Sequence, residues 1–269
     1  MKVLILDGYN LIYRARYSFN RGTFGTIFSF FRSLRPLIER FAPGKAYFVL
    51  EGIPKKRLSL YQDYKKNRPR DDDQDFRSQR DTIIELLSTC LPVHVIRHED
   101  YECDDVIAYL TNLHTNDECV IVSSDTDFIQ LLNKENIRLF NPIRKVFLQY
   151  PEYDYVKWKA LRGDGADNIS GIKGVGDKTA SKLVSDPVKL ESFFDDDPER
   201  RLIFDRNINL IRLESNLDKE KFEYSTGTSN WPKLRKQFAE MDFNSIINDH
   251  AWKKYQASFN NLEEFESGQ

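Results

Sequence analysis

The sequence predicts an α/β protein built around a mostly parallel sheet. Through about residue 150, short runs rich in β-branched and aromatic residues alternate with longer amphipathic stretches, which is the order of strands joined by helical crossovers. After Pro151 the strand pattern fades while helical periodicity continues. We therefore expect a sheet domain at residues 1–160, a helical region at 161–258 and an acidic tail at 259–269.

Five apolar runs fit buried strands, at residues 3–6, 46–50, 93–96, 120–123 and 137–140. Between the first two, apolar residues three and four positions apart from Phe24 to Phe41 form one face of a long helix. Residues 52–76 carry many basic and few aliphatic side chains, which predicts an exposed insertion. In the helical region, glycines cluster from Gly163 to Gly176, which indicates backbone that approaches another molecule closely.

The net charge of −2 hides an uneven distribution. Residues 14–70 contain 14 basic and three acidic residues, so this segment carries +11 and the rest of the chain −13. That asymmetry indicates a surface facing a polyanion beside an acidic site. No apolar run approaches the roughly 18 residues of a membrane span. Three scattered cysteines do not form a disulfide framework, so we expect a cytoplasmic protein without membrane contact.

Acidic residues follow four of the five predicted strands, at the edge where open parallel sheets bind ligands, and a further pair lies in the glycine cluster. The set comprises Asp7, Glu51, Glu102, Asp104, Asp105, Asp125, Asp127, Asp164 and Asp167. So many carboxylates repel one another unless cations neutralise them, and an oxygen-rich ligand set favours Mg²⁺ or Mn²⁺. Taken alone, Asp125 and Asp127 also fit a helix N-cap with its first-turn acid.

Several segments resemble the 5′-nuclease family, which includes phage flap endonucleases and the 5′-nuclease domain of bacterial DNA polymerase I. They are LDGYNLIYRA at 6–15, YKKNR at 64–68, YECDDVI at 101–107, SDTDF at 124–128 and the glycine-rich stretch at 163–176. The resemblance implies a PIN-like, Rossmann-like core with a helical arch insertion near 52–76. It also implies a DNA-binding region of the helix-hairpin-helix type after the core.

The resemblance further implies roles for the acidic residues, with two or more Mg²⁺ ions that Mn²⁺ can replace. Asp7, Glu102, Asp104 and Asp125 are expected at one ion, and Asp127, Asp164 and Asp167 at a second. Asp105 also falls on a metal-site position of the family. Glu51 stands where the family usually has Asp, which makes it the least regular ligand.

DNA contacts are implied in the same way. Lys65 and Arg68 are expected to stabilise the charge that develops at the scissile phosphate, and Tyr64 to stack on an unpaired base. Further DNA contacts are expected from Arg14, Arg57, Gly171, Lys173, Gly174, Gly176, Lys178 and Lys182. A K⁺ ion is expected at the 171–176 turn.

The leading hypothesis is a monomeric, structure-specific 5′ nuclease, both flap endonuclease and 5′-3′ exonuclease, acting in replication and repair. Its expected substrates are branched DNAs with a free 5′ end, such as flaps, nicks and RNA–DNA primers. Two alternatives stay open: a PIN-type ribonuclease, which would share the acidic strand ends, and a DNA-junction-binding protein without catalytic activity.

Overall fold

A seven-stranded sheet forms the centre of the molecule, in the order β6-β5-β4-β1-β2-β3-β9. The computed structural model describes residues 1–18, 22–69 and 73–266. The strands are β1 (Lys2–Asp7), β2 (Lys45–Val49), β3 (His94–His98), β4 (Glu118–Val122), β5 (Ile137–Asn141), β6 (Val146–Leu148) and β9 (Phe222–Thr226), with β7 (Gly163–Asp164) and β8 (Ile169–Ser170) in a separate ribbon. β1 to β5 pair in parallel, whereas β6 and β9 are antiparallel edges. The predicted fold class is confirmed.

Helices cover both faces of this sheet and continue beyond it. They are α1 (Gly8–Arg16), α2 (Gly25–Phe41), α3 (Lys55–Leu60), α4 (Gln74–Cys90), α5 (Cys103–Leu113), α6 (Tyr155–Arg162), α7 (Asp177–Val184), α8 (Pro187–Asp195), α9 (Pro198–Ile211), α10 (Trp231–Glu240), α11 (Asn244–Ile247), α12 (Asp249–Ala257) and α13 (Asn260–Glu266). Within the described ranges, no helix has the length and apolar character that crossing a membrane requires.

Burial on both faces explains why the central strands read as continuous apolar runs. Residues 3–6 of β1 are fully buried, with alternate side chains in two different apolar clusters. All five predicted strands are present within a few residues of their expected bounds. The parallel register brings the carboxyl ends of β1, β2 and β4 to one edge, where the acidic residues follow.

The C-terminal third differs from the predicted division into a helical region and a tail. Helices α6 to α9 share one apolar cluster, whereas buried residues of α10, α12 and α13 belong to the cluster that includes α2. Phe259 and Leu262 are buried there, so the chain contributes to the core well inside the segment expected to be a tail. Residues 267–269 of that segment lie outside the described part of the chain.

The segment predicted as an exposed insertion is only partly exposed. Its lysines, such as Lys56 and Lys66, are on the surface, but Arg57 and Tyr64 are buried against neighbouring elements. Tyr64 packs in the apolar cluster of α6 to α9. Residues 70–72 of the segment lie outside the described ranges.

Candidate active site

A cleft of about 880 Å³ lies at the carboxyl edge of the sheet. Five predicted acidic ligands line it: Asp7, Glu51, Glu102, Asp104 and Asp125. Three predicted DNA-contacting residues line it as well: Arg14, Lys65 and Arg68. The fold therefore brings together residues that are up to 118 positions apart, from Asp7 to Asp125, in one open site.

Asp7 ends β1 and caps the N-terminus of α1. One carboxylate oxygen accepts a hydrogen bond from the backbone N–H of Asn10 at 3.2 Å, and the other accepts one from the Ser123 hydroxyl at 2.6 Å. Burial raises the pKa of Asp7 to about 6, although the Ser123 hydrogen bond opposes this shift. The side chain is thus fixed in place while its negative charge is poorly compensated.

Glu51 and Asp104 add to the same uncompensated charge. Glu51 follows β2, and its carboxylate accepts the backbone N–H of Cys103 at 3.0 Å. Burial raises the pKa of Glu51 to about 7. Burial, followed by the charges of Asp125 and Glu51, raises the pKa of Asp104 well above its usual range. Crowded carboxylates with raised pKa values fit a site for hard divalent cations, which bind oxygen ligands and supply the missing positive charge.

Asp127, Asp164 and Asp167 form a second acidic group. One oxygen of each lies within 4.8 Å of the others, a spacing that can hold a metal ion. Asp127 begins the 3₁₀ turn after β4, Asp164 ends β7, and Asp167 lies in the turn between β7 and β8. These three acids are the ones that the family resemblance implies at a second ion. Their partition between metal ions stays a prediction.

Lys159 is a member of this second group that sequence reasoning missed. Its ammonium contacts Asp127 and lies 2.7 Å from Asp164, and the residue is only 4% exposed. Burial opposes the charge of Lys159, but the two carboxylates raise its pKa. The sequence signal was its position four residues after Tyr155, which places it on the buried face of α6.

The predicted catalytic cations stand between the two acidic groups. The ammonium of Lys65 contacts Glu102 and lies 3.8 Å from Asp167, while the guanidinium of Arg68 pairs with Asp167. Arg14 lines the cleft without an acidic partner among the described residues, and burial lowers its pKa. All three cations are placed where a phosphate entering the cleft could meet them.

Comparison with known proteins identifies the family. Residues 2–159 match the family model described as 5′-3′ exonuclease, N-terminal resolvase-like domain. A 5′-3′ exonuclease of Aquifex aeolicus (strain VF5) is 30% identical over 93% of this chain and 95% of its own length. The chain belongs to the 5′-3′ exonuclease family.

Other similar proteins are longer or are less similar in sequence. DNA polymerase I of Caldicellulosiruptor bescii is 29% identical over 72% of this chain, but the match spans only 25% of that polymerase. In fold, the chain is similar to the bacteriophage T5 flap endonuclease solved with DNA and metal ions, with a TM-score of 0.67 and 19% identity. That match covers 98% of this chain and 100% of the phage chain.

Three predicted roles need correction in this family member. The Arg57 guanidinium is buried and donates to Glu102, to both oxygens of Asp105 and to the Leu210 carbonyl, so its predicted DNA contact is wrong. Asp105 is fully buried, also accepts the backbone N–H of Glu214, and does not line the cleft. Its predicted role as a metal ligand is therefore wrong, and it forms a structural ion pair instead.

Tyr64 is the third correction. Its ring is 5% exposed, and its hydroxyl donates to Glu102 at 2.9 Å and lies 3.2 Å from Asp167. The ring cannot stack on an unpaired base from this position. Tyr64 instead positions Glu102 by a hydrogen bond, and its ring packs in the apolar cluster of α6 to α9.

The glycine-rich turn and its lysines lie apart from the cleft. Gly171 packs tightly, because a Cβ there would stand 2.0 Å from the Arg162 carbonyl oxygen. Gly174 has a φ of +82° and is exposed, as is Gly176. The lysines expected to contact duplex phosphates are all exposed: Lys173, Lys178 and Lys182. Their DNA contacts stay predictions.

Proposed function

We propose that this member of the 5′-3′ exonuclease family is a structure-specific 5′ nuclease that cuts branched DNA near a junction between single and double strands. Its substrates would be flaps, nicks and RNA–DNA primers with a free 5′ end, in cytoplasmic replication and repair. The observation that carries this proposal is the cleft in which buried carboxylates and three cations converge. The cations suit a phosphodiester substrate, and the carboxylates suit the metal ions that such hydrolysis uses.

The proposed cofactor is Mg²⁺, with Mn²⁺ as a substitute. Asp7, Glu51, Asp104 and Asp125 would hold one ion, with Glu102 beside them, and Asp127, Asp164 and Asp167 a second. Bound metal ions would activate a water molecule and stabilise charge on the oxygens around phosphorus. A K⁺ ion at the 171–176 turn is part of the same proposal, as is a monomeric state.

The side chains of the protein would fix the phosphate and neutralise its developing charge. Burial opposes the charge of Lys65, but Glu102 and Asp167 raise its pKa, so it stays an ammonium ion and acts by electrostatic stabilisation rather than by proton transfer. Arg68, which pairs with the other carboxylate oxygen of Asp167, would neutralise the same phosphate beside Lys65. Cleavage would leave a 3′-hydroxyl and a 5′-phosphate.

The test is a cleavage assay with a 5′-labelled flap and Mg²⁺. Wild-type protein should cut near the junction, and Asp125→Asn should abolish the cut while flap affinity in Ca²⁺ is preserved. Asp195→Asn, an exposed acid at the end of α8, is the matched control and should cut normally. A wild-type protein that binds flaps without cutting them would support a DNA-junction binder, and one that cuts only RNA would support a ribonuclease.

A further inference from the structure

Two strongly exposed apolar side chains line the candidate cleft from separate elements. Tyr17 follows α1 and is 79% exposed, and Ile143 lies in the β5–β6 hairpin and is 62% exposed. Exposed apolar residues are ordinary when scattered, but these two share a site with carboxylates and cations. Exposed apolar side chains beside cations fit a ligand that has both apolar surface and negative charge.

The hairpin holds Ile143 in a defined place. The buried Asn141 side chain accepts the backbone N–H groups of Ile143 and Arg144, each at 3.0 Å. Lys145 adopts a φ of +58°, and its N–H returns to the Asn141 carbonyl at 2.8 Å. Pro142 is buried beneath the turn. Ile143 is therefore presented to solvent by an ordered turn.

Tyr17 stands at the open end of a row of tyrosines. Tyr9, Tyr13 and Tyr17 are four residues apart, and all three line the cleft. The first two rings lie 6.5 Å apart, and Tyr13 also packs 5.0 Å from Phe76, so both are partly buried. The guanidinium carbon of Arg16 lies 5.7 Å from the centre of the Tyr17 ring. Tyr17 is the most exposed of the three tyrosines.

Cations accompany each of the two side chains. Arg14, which lacks an acidic partner among the described residues, lines the same cleft one turn before Tyr17. Arg144 and Lys145 follow Ile143 and are exposed. Stacking or apolar surfaces interleaved with cations are how proteins bind single-stranded nucleic acid, because bases offer flat faces and phosphates offer charge.

We propose that Tyr17 and Ile143, as exposed apolar residues of the cleft lining, contact the unpaired bases nearest the junction. The proposal rests on the proposed function and deepens it, since it names the part of the substrate that the cleft recognises besides phosphate. Paired bases hide their faces in the stack, so the contact favours substrates with unpaired nucleotides over intact duplex.

The test measures flap affinity in Ca²⁺ for Tyr17→Ala and Ile143→Ala, with 2-aminopurine as the first unpaired base. Tyr17→Ala should weaken binding about 10-fold and Ile143→Ala about threefold, because stacking and apolar contacts are lost. Both should reduce quenching of the 2-aminopurine fluorescence. Tyr17→Phe keeps the ring and should behave as wild type, and Val188→Ala, at an 80% exposed position in α8, is the control for surface truncation.

A second substrate shows whether a loss of flap affinity in the alanine variants comes from lost contacts with bases. A flap whose three nucleotides nearest the junction are abasic keeps its phosphates, so wild type and both alanine variants should bind it equally. Equal affinities of the variants and wild type on the normal flap would overturn the contact, as would an equal loss on both flaps. Wild-type protein that binds no flap at all would overturn the proposed function as well.

Discussion

Glu51 is a half-buried carboxylate whose charge opposes folding when no metal ion is bound. Burial raises its pKa from 4.5 to about 7. A raised pKa means that the folded protein holds this proton more tightly than the unfolded chain does. The contribution of this proton to the free energy of unfolding is therefore fully present below about pH 4.5 and is lost as the pH rises through about 7. Glu51 thus destabilises the metal-free protein most at alkaline pH.

Glu51→Gln should remove this effect, because glutamine keeps the acceptor for the Cys103 N–H but carries no charge. In EDTA at pH 8, its free energy of unfolding should exceed that of wild type by up to about 3 kcal/mol, at roughly 1.4 kcal/mol per pKa unit. At pH 4.5 the difference should fall to about 0.4 kcal/mol, because the unfolded chain is then half protonated. Urea denaturation at both pH values measures it, with exposed Glu152→Gln as control. A gain that is the same at both pH values would contradict the electrostatic explanation.

Lys159 has the opposite effect, because its buried ammonium stabilises two partly buried carboxylates. Lys159→Met leaves Asp127 and Asp164 without their counter-charge, so in EDTA the protein should lose about 3 to 5 kcal/mol of stability. Mn²⁺ should restore more stability to this variant than it adds to wild type, since the metal replaces the missing charge. Thermal unfolding with and without Mn²⁺ tests this. Lys157→Met, on the exposed face of the same helix, should show neither effect.

At the scale of elements, the sequence predicts what a segment requires by itself. A central strand such as β1 is buried on both faces, so its own residues form a recognisable apolar run. The edge strand β9 is half exposed and pairs with β3, more than 120 residues earlier, so its identity depends on tertiary contacts. The clustering of the cleft acids could be predicted because these residues follow strands whose carboxyl ends meet at one edge of the sheet. The Arg57–Asp105 pair was not, since no local pattern joins those positions.

Helix α13 is a second element that its own sequence did not predict. Its acidic composition indicates an exposed tail, although Leu262 is buried. Leu262 is 1% exposed and packs in the main apolar cluster. Leu262→Ala should therefore lower the free energy of unfolding by about 2 to 5 kcal/mol, as the loss of buried methyl groups leaves a cavity. Leu202→Ala, at a 70% exposed position in α9, should change it little. Equal stabilities of the two variants in urea denaturation would mean that α13 does not contribute to the core.

At the scale of the whole molecule, the near-neutral net charge combines surfaces with different roles. Part of the basic segment is structural, since the Arg57 guanidinium forms a buried ion pair with Glu102 and Asp105. Exposed lysines outside that segment, such as Lys178, extend the basic surface to the glycine-rich turn. The charge asymmetry of the sequence therefore predicts a polyanion-binding protein, but it does not locate all of the proposed binding surface.

The salt dependence of DNA affinity can distinguish cations that contact DNA from cations that only pair with acids of the protein. Each lysine that contacts a DNA phosphate releases a counterion on binding. For flap binding in Ca²⁺, the slope of log affinity against log salt should fall in magnitude by about 0.9 when Lys178→Met removes one such contact. Its single-turnover cleavage rate at saturating protein should match wild type, because Lys178 does not line the cleft. Lys236→Met, on the exposed face of α10, should leave the slope unchanged. An unchanged slope for Lys178→Met would place the duplex elsewhere on the molecule, whereas a slower single-turnover rate would extend the active site to the glycine-rich turn.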